Sequence, residues 1–113
     1  MPAIVVDEFA WLEEWYRSRC DGTWEHQHGV SIRSCDNPGW WVQIDVDKEN
    51  FPTTTDMVLK TDGDPPSEAN GLLGGPSWLL CQIKGGKFDA AGDPTRLREI
   101  IRCFRTIISE RRS

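Results

Sequence analysis

Two alternating segments on either side of one tight turn constrain this chain more than any other feature. The turn is Asp36-Asn37-Pro38-Gly39. Before it, Val30, Ile32 and Ser34 alternate with Ser31, Arg33 and Cys35; after it, Trp40, Val42, Ile44 and Val46 alternate with Trp41, Gln43, Asp45 and Asp47. Successive strand side chains point to opposite faces, so this pattern predicts a hairpin with one apolar and one polar face. Pro38 suits the second position of a reverse turn and Gly39 the third position of a type II turn, which predicts positive φ at Gly39. The polar face sets Trp41 beside two carboxylates.

The flanking segments supply helices. Asp7 to Cys20 reads as a helix with Asp7 as cap, Glu8 in the first turn and an apolar stripe of Phe9, Leu12, Trp15 and Tyr16. Trp11 falls at the edge of the stripe, and Gly22 supplies a left-handed stop. Trp24-Glu25-His26 leads into the first strand. Lys48-Glu49-Asn50 breaks the second, and Phe51-Pro52 bridges to a short strand at Met57–Lys60. Residues 62–76 hold three Pro and four Gly and read as a loop. WLLCQIK, Trp78–Lys84, reads as a central strand, Gly85-Gly86 as a hairpin turn and Lys87–Ala90 as its return. Asp93 as cap with Pro94 in the first helical position opens a last helix, striped by Leu97, Ile100, Ile101, Phe104, Ile107 and Ile108.

Sequential strands on short connections favour antiparallel pairing, and a helix with one apolar stripe must cover an apolar face. The expected fold is α+β: an antiparallel sheet of four to six strands, with the N- and C-terminal helices packed on one face, in a single domain over residues 1–113. The expected core is Leu12, Val30, Ile32, Val42, Ile44, Leu79 or Leu80, Ile83, Leu97, Ile101, Phe104 and Ile108. The other sheet face, with Trp41, Gln43 and Asp45, and Lys60 as a candidate for the same side, is expected to stay partly open.

Charge narrows the choice of partner. The chain carries −5 in 113 residues. From Pro94 onward six arginines face Glu99 and Glu110, a net +4, so the residues before Pro94 carry −9. Such a field repels nucleic acid and attracts a basic protein. No apolar run approaches the roughly 20 residues of a membrane span, and MPAIVVDEF lacks a signal peptide's basic start, so a cytoplasmic location is expected. Cys20, Cys35, Cys81 and Cys103 form no C-x-x-C pair and read as reduced thiols in or near the core. His26 and His28 with Asp21 and Glu25 match no established metal-ligand spacing, so neither metal nor cofactor is expected.

TWEHQHGVSI followed by SCDNPGWWVQIDV resembles the bacterial immunity proteins of the immunity protein 53 family. WLLCQIKGGKFDAAGDPTRLREIIRCF resembles that family's C-terminal half, and the first helix with Trp11, Trp15 and Cys20-Asp21-Gly22 fits as well. The match covers most of the chain, with Asp-Asn-Pro-Gly-Trp its most specific piece. The 62–76 loop is longer than the family pattern. The resemblance implies a non-enzymatic protein that binds and blocks a toxin of a polymorphic toxin system. An acidic chain suits a basic toxin such as a nuclease, with Trp41 as anchor and Gln43, Asp45, Asp47, Glu49, Asp62 and Asp64 around it. The alternative is a small enzyme, a sulfurtransferase with Cys81 as nucleophile. Against it, Cys81 sits inside an apolar strand rather than at the head of an anion-cradling loop.

Overall fold

The computed structural model describes residues 7–35, 38–46, 55–65 and 75–112, with side chains to 109. Its elements run α1 (Glu8–Arg19), α2 (Trp24–Gln27), β1 (Val30–Cys35), β2 (Gly39–Asp45), β3 (Met57–Gly63), β4 (Trp78–Lys84), β5 (Lys87–Gly92) and α3 (Leu97–Arg112). All pairings are antiparallel, in the order β1-β2-β5-β4-β3. The fold is thus the expected α+β sheet with an N-terminal and a C-terminal helix.

The alternation sets the register. Val30 pairs with Ile44, Ile32 with Val42 and Cys35 with Gly39. Val42, Ile44, Leu79, Cys81, Ile83, Phe88 and Ala90 all face the helices and are buried with Ile100, Ile101, Phe104 and Ile108 of α3. Phe104 is the hub: its ring lies 4.8 Å from Trp15, 5.1 Å from Phe88 and 5.9 Å from Trp11. Asp7 caps α1 by accepting from the Phe9 and Ala10 amides. Glu8, expected simply in the first turn, is buried and paired with Arg102 and Arg105 of α3 at 3.3 and 3.4 Å. Part of the arginine face of α3 therefore serves to dock α1.

Several expectations need correction. Ile32 is 38% exposed because β1 is an edge strand that the helices do not reach across. Val30 and Leu97 are only partly buried, and Phe9 and Tyr16 are exposed. Trp24–Gln27 forms a helical turn, α2, because Asp21 accepts from the Thr23 and Trp24 amides while Glu25 reaches back to Asp21 and Gly22. Gly39 has no positive φ; it begins β2, and a Cβ there would lie 2.3 Å from the Gly92 carbonyl oxygen. Its role is close approach, not turn geometry. Asp36, Asn37 and residues 47–54, 66–74, 1–6 and 113 lie outside the described residues.

Asp93 does not cap α3, which begins at Leu97. It is buried in the bend before the helix, where it accepts from the Trp78 amide, the Thr95 amide and hydroxyl, and Arg96. Burial pushes its carboxyl up, but these bonds outweigh that and hold it at about 2.

β3 departs from simple alternation. The register shifts between Val58 and Lys60, a bulge that turns every later side chain to the other face. Lys60 therefore sits opposite Cys81 on the helix side, 3.2 Å from Glu99, and not on the open face. The same shift carries Asp62 to Arg96, 2.8 Å away. Asp62 and Gly63, assigned to the loop, close β3.

Candidate functional site

The face of the sheet opposite α1 and α3 is built from the other half of each alternation. Cross-strand pairing sets Arg33, Trp41, Ala91, Leu80 and Thr61 in one row, and Ser31, Gln43, Asp89, Gln82 and Val58 in the next. Trp41, Gln43, Leu80, Gln82 and Asp89 are half-buried; Ser31, Arg33, Thr61 and Val58 are exposed. Among the described residues this face carries one large aromatic ring, Trp41, on β2 between the edge strand β1 and the central strand β5.

Trp41 is held on both sides. Its indole N–H donates to Asp89 Oδ1 at 2.7 Å, and the Arg33 guanidinium carbon lies 4.0 Å from the ring centroid. A ring fixed by a hydrogen bond and a stacked cation loses little rotamer freedom when another surface closes on it. Gln43 lies beside it in the second row, as the alternation predicts.

Asp45 is on the same side, at the far end of β2, and is already engaged. It accepts from Lys87 Nζ and from the Gly29 amide at 2.9 Å, with His28 Nδ1 3.7 Å away. Burial raises its carboxyl, but the Lys87 and Gly29 bonds and the nearby His28 hold it below the ordinary range. It ties the entry of β1 to β2 and β5. Asp62 is on the opposite face, bound to Arg96. Asp64 lies past the end of β3, where its carbonyl accepts from the Gly75 amide at 2.8 Å. Asp47 and Glu49 lie outside the described residues. The structure therefore brings Trp41, Gln43 and Asp45 together, and it separates Asp62 from them.

Two residues missing from the expected site belong to it by position, Arg33 and Asp89. Alternation in β1 already put Arg33 on the polar side, and Phe88 pointing inward puts Asp89 outward; only the register shows that both meet Trp41. Charges on this face are mixed, with Arg33, Lys84 and Lys87 against Asp45 and Asp89.

The helix-covered face offers no activated nucleophile at Cys81. Its thiol is fully buried, and a hydrogen bond to Cys103 together with burial pushes it up, the opposite of what a nucleophilic thiolate needs. Asp21 and Glu25 spend their oxygens on backbone amides. Among the described residues there is no group of three His, Cys, Asp or Glu side chains placed to hold a metal, and no helix long and apolar enough to cross a membrane.

A family model described as Immunity protein 53 matches residues 9–109. No curated protein and no solved structure matches.

Proposed function

The chain belongs to the Immunity protein 53 family, and from that premise we propose that it is a stoichiometric inhibitor. It binds a toxin of a polymorphic toxin system in the cytosol of the producing cell and blocks it without catalysis. The observation that carries this reading is the family match across residues 9–109.

We place the contact on the open sheet face. What supports the choice is composition: interface hot spots favour Trp and Arg, and this face has Trp41 with Arg33 stacked on it. Gln43 on the same strand, and Gln82 and Leu80 two strands across, add polar and apolar surface to the same face. The toxin is basic, and a nuclease domain is the kind of partner that fits. An excess of nine negative charges before Pro94 accelerates its approach and repels nucleic acid. Asp47, Glu49 and Asp64 add to this field, as do Asp45 and Asp62, whose intramolecular partners suit them to steering more than to direct contact. Neither a membrane nor a cofactor takes part.

Co-expression with the toxin domain encoded beside it tests the reading. Growth should be restored, and inhibition of the purified toxin should saturate at one chain per toxin. Protection at far less than equimolar inhibitor would show turnover and overturn the inhibitor reading.

A further inference from the structure

The two edges of the sheet are built differently. β3 carries a bulge between Val58 and Lys60, and its Lys60 and Asp62 turn charges to the helix side. Bulges and inward charges keep an edge from pairing further. β1 has neither. Its register with β2 runs unbroken from Val30 to Cys35, and Val30 and Ile32 share the helix side with Ile44 and Val42. The Asp45 amide donates to the Gly29 carbonyl at 3.1 Å. Bonding alternates along an antiparallel pair, so Ser31, Arg33 and Cys35 also bond to β2, and the amides and carbonyls of Val30, Ile32 and Ser34 point away from it. These outward groups line an edge that no described strand pairs with.

Space lies beside that edge. A cavity of about 310 Å³ between α1 and the start of β1 is lined by Leu12, Glu13, Tyr16, Gly29 and Val30. Helical spacing puts Phe9, Glu13 and Tyr16 on one side of α1, and Phe9, Tyr16 and Ile32 are all exposed. The neighbouring acids Glu8 and Glu14 are paired with arginines. Glu13 is exposed and has no ion pair among the described residues. A strand laid along β1 therefore meets an apolar wall with one uncompensated carboxylate in it.

We propose that the toxin supplies a sixth strand to this sheet: an extended segment that pairs with the outward backbone of Val30, Ile32 and Ser34 and turns apolar side chains, with a Lys or Arg among them, into the cavity beside Glu13. This rests on the inhibitor reading above. Main-chain bonds give such an addition its affinity, and the pocket for alternate side chains gives it selectivity. A basic segment also suits the negative charge that precedes Pro94. A second copy, paired antiparallel about Ile32, satisfies the same backbone groups. It brings only Val30, Ile32 and Ser34 to the helix side, however, with no cation for Glu13, and it joins two chains of −5 each. Ser31 and Arg33 lie on the open face of the same strand, so the added strand is continuous with the contact around Trp41.

The test is amide hydrogen exchange, read by NMR on the full chain alone and with the purified toxin domain encoded beside it. In the free chain the Val30, Ile32 and Ser34 amides should exchange fast and those of Ser31 and Arg33 slowly. Toxin should slow the first three by about tenfold or more. Glu13→Lys should weaken toxin binding by about tenfold with the melting temperature unchanged, whereas Glu14→Lys, the same charge change outside the cavity, should weaken it far less. Equal losses from the two would overturn the proposal. If the toxin binds and is inhibited while the three amides keep their free rates, strand addition is overturned and the inhibitor reading stands. If the toxin does not bind at all, both fall. Slow exchange of the three amides in the free chain also overturns the proposal: the edge is then covered by the chain itself or, where the protection fades on dilution, by a second copy.

Discussion

The two faces of the sheet share strands and differ by one residue of phase, yet they are held by different physics. On the helix side Val42, Ile44, Leu79, Ile83 and Phe88 are buried, and packing shape against α3 determines the fit. On the other side Trp41, Gln43, Gln82 and Asp89 are half-buried, and directed contacts organise them: an indole N–H on a carboxylate and a guanidinium on a ring. Apolar burial is non-directional and large, whereas exposed polar contacts are individually small. The difference implies that stability belongs chiefly to the covered face; with partner recognition on the open face, as proposed above, mutations should separate the two.

The largest expected effect is on the covered face. Phe104→Ala empties the hub between Trp15, Trp11 and Phe88 and should reduce unfolding free energy by about 3–5 kcal/mol in urea titration. A loss below about 1 kcal/mol would mean that α3 is not docked through this ring. Trp41→Ala should do the converse. Toxin affinity should fall by about 2 kcal/mol or more, mainly through faster dissociation, while the protein stays folded. Unchanged affinity in surface plasmon resonance would move the interface off this face.

Gly39 sharpens the comparison because it lies where the faces meet β5. Its backbone passes so close to Gly92 that a Cβ would sit 2.3 Å from that carbonyl oxygen and 3.1 Å from the Trp78 ring. Even Gly39→Ala should therefore destabilise by about 1–3 kcal/mol, and Gly39→Asn should bring no relief. Rescue by Asn would restore the positive-φ explanation. The sequence was readable wherever one local period governed. The β1–β2 pairing, the β4–β5 hairpin with Gly85 and Gly86 at φ 62° and 76°, and the α3 stripe all follow from alternation or helical spacing. It was unreadable where cross-strand geometry governs. Nothing local announces the bulge that turns Lys60 and Asp62 toward α3, the approach that demands a glycine at 39, or the burial of Glu8 under two arginines. The site divides likewise: Trp41 and Gln43 were legible from alternation, while the Arg33 and Asp89 partners of Trp41 required the register.

Acid should act on the scaffold through Asp93. Its carboxyl, ordinarily at 3.8, is held at about 2 by Thr95, the Trp78 amide and Arg96. A depressed folded-state value gives stability that is complete above the ordinary value and is lost as pH falls through about 2. Asp93→Asn should cost about 1–2 kcal/mol at neutral pH and flatten the stability profile below pH 4. A profile parallel to that of the parent would show that Asp93 carries no charge-dependent stability.

The smallest expected effect is the most direct test of the division itself. Arg33 stacks on Trp41 from an edge strand, with its side chain exposed. An exposed cation–π contact is worth about 0.5–1 kcal/mol. A double-mutant cycle of Arg33→Ala and Trp41→Ala, read by urea unfolding, should give a coupling of that size. The same cycle read by toxin affinity should give at least as much, because closing a partner over the stack removes it from water and strengthens it. Coupling above about 2 kcal/mol in unfolding would make the open face a second source of stability and erase the contrast. Coupling in unfolding but none in binding would show that the stack only braces the sheet, and that whatever contacts the toxin lies beyond Trp41.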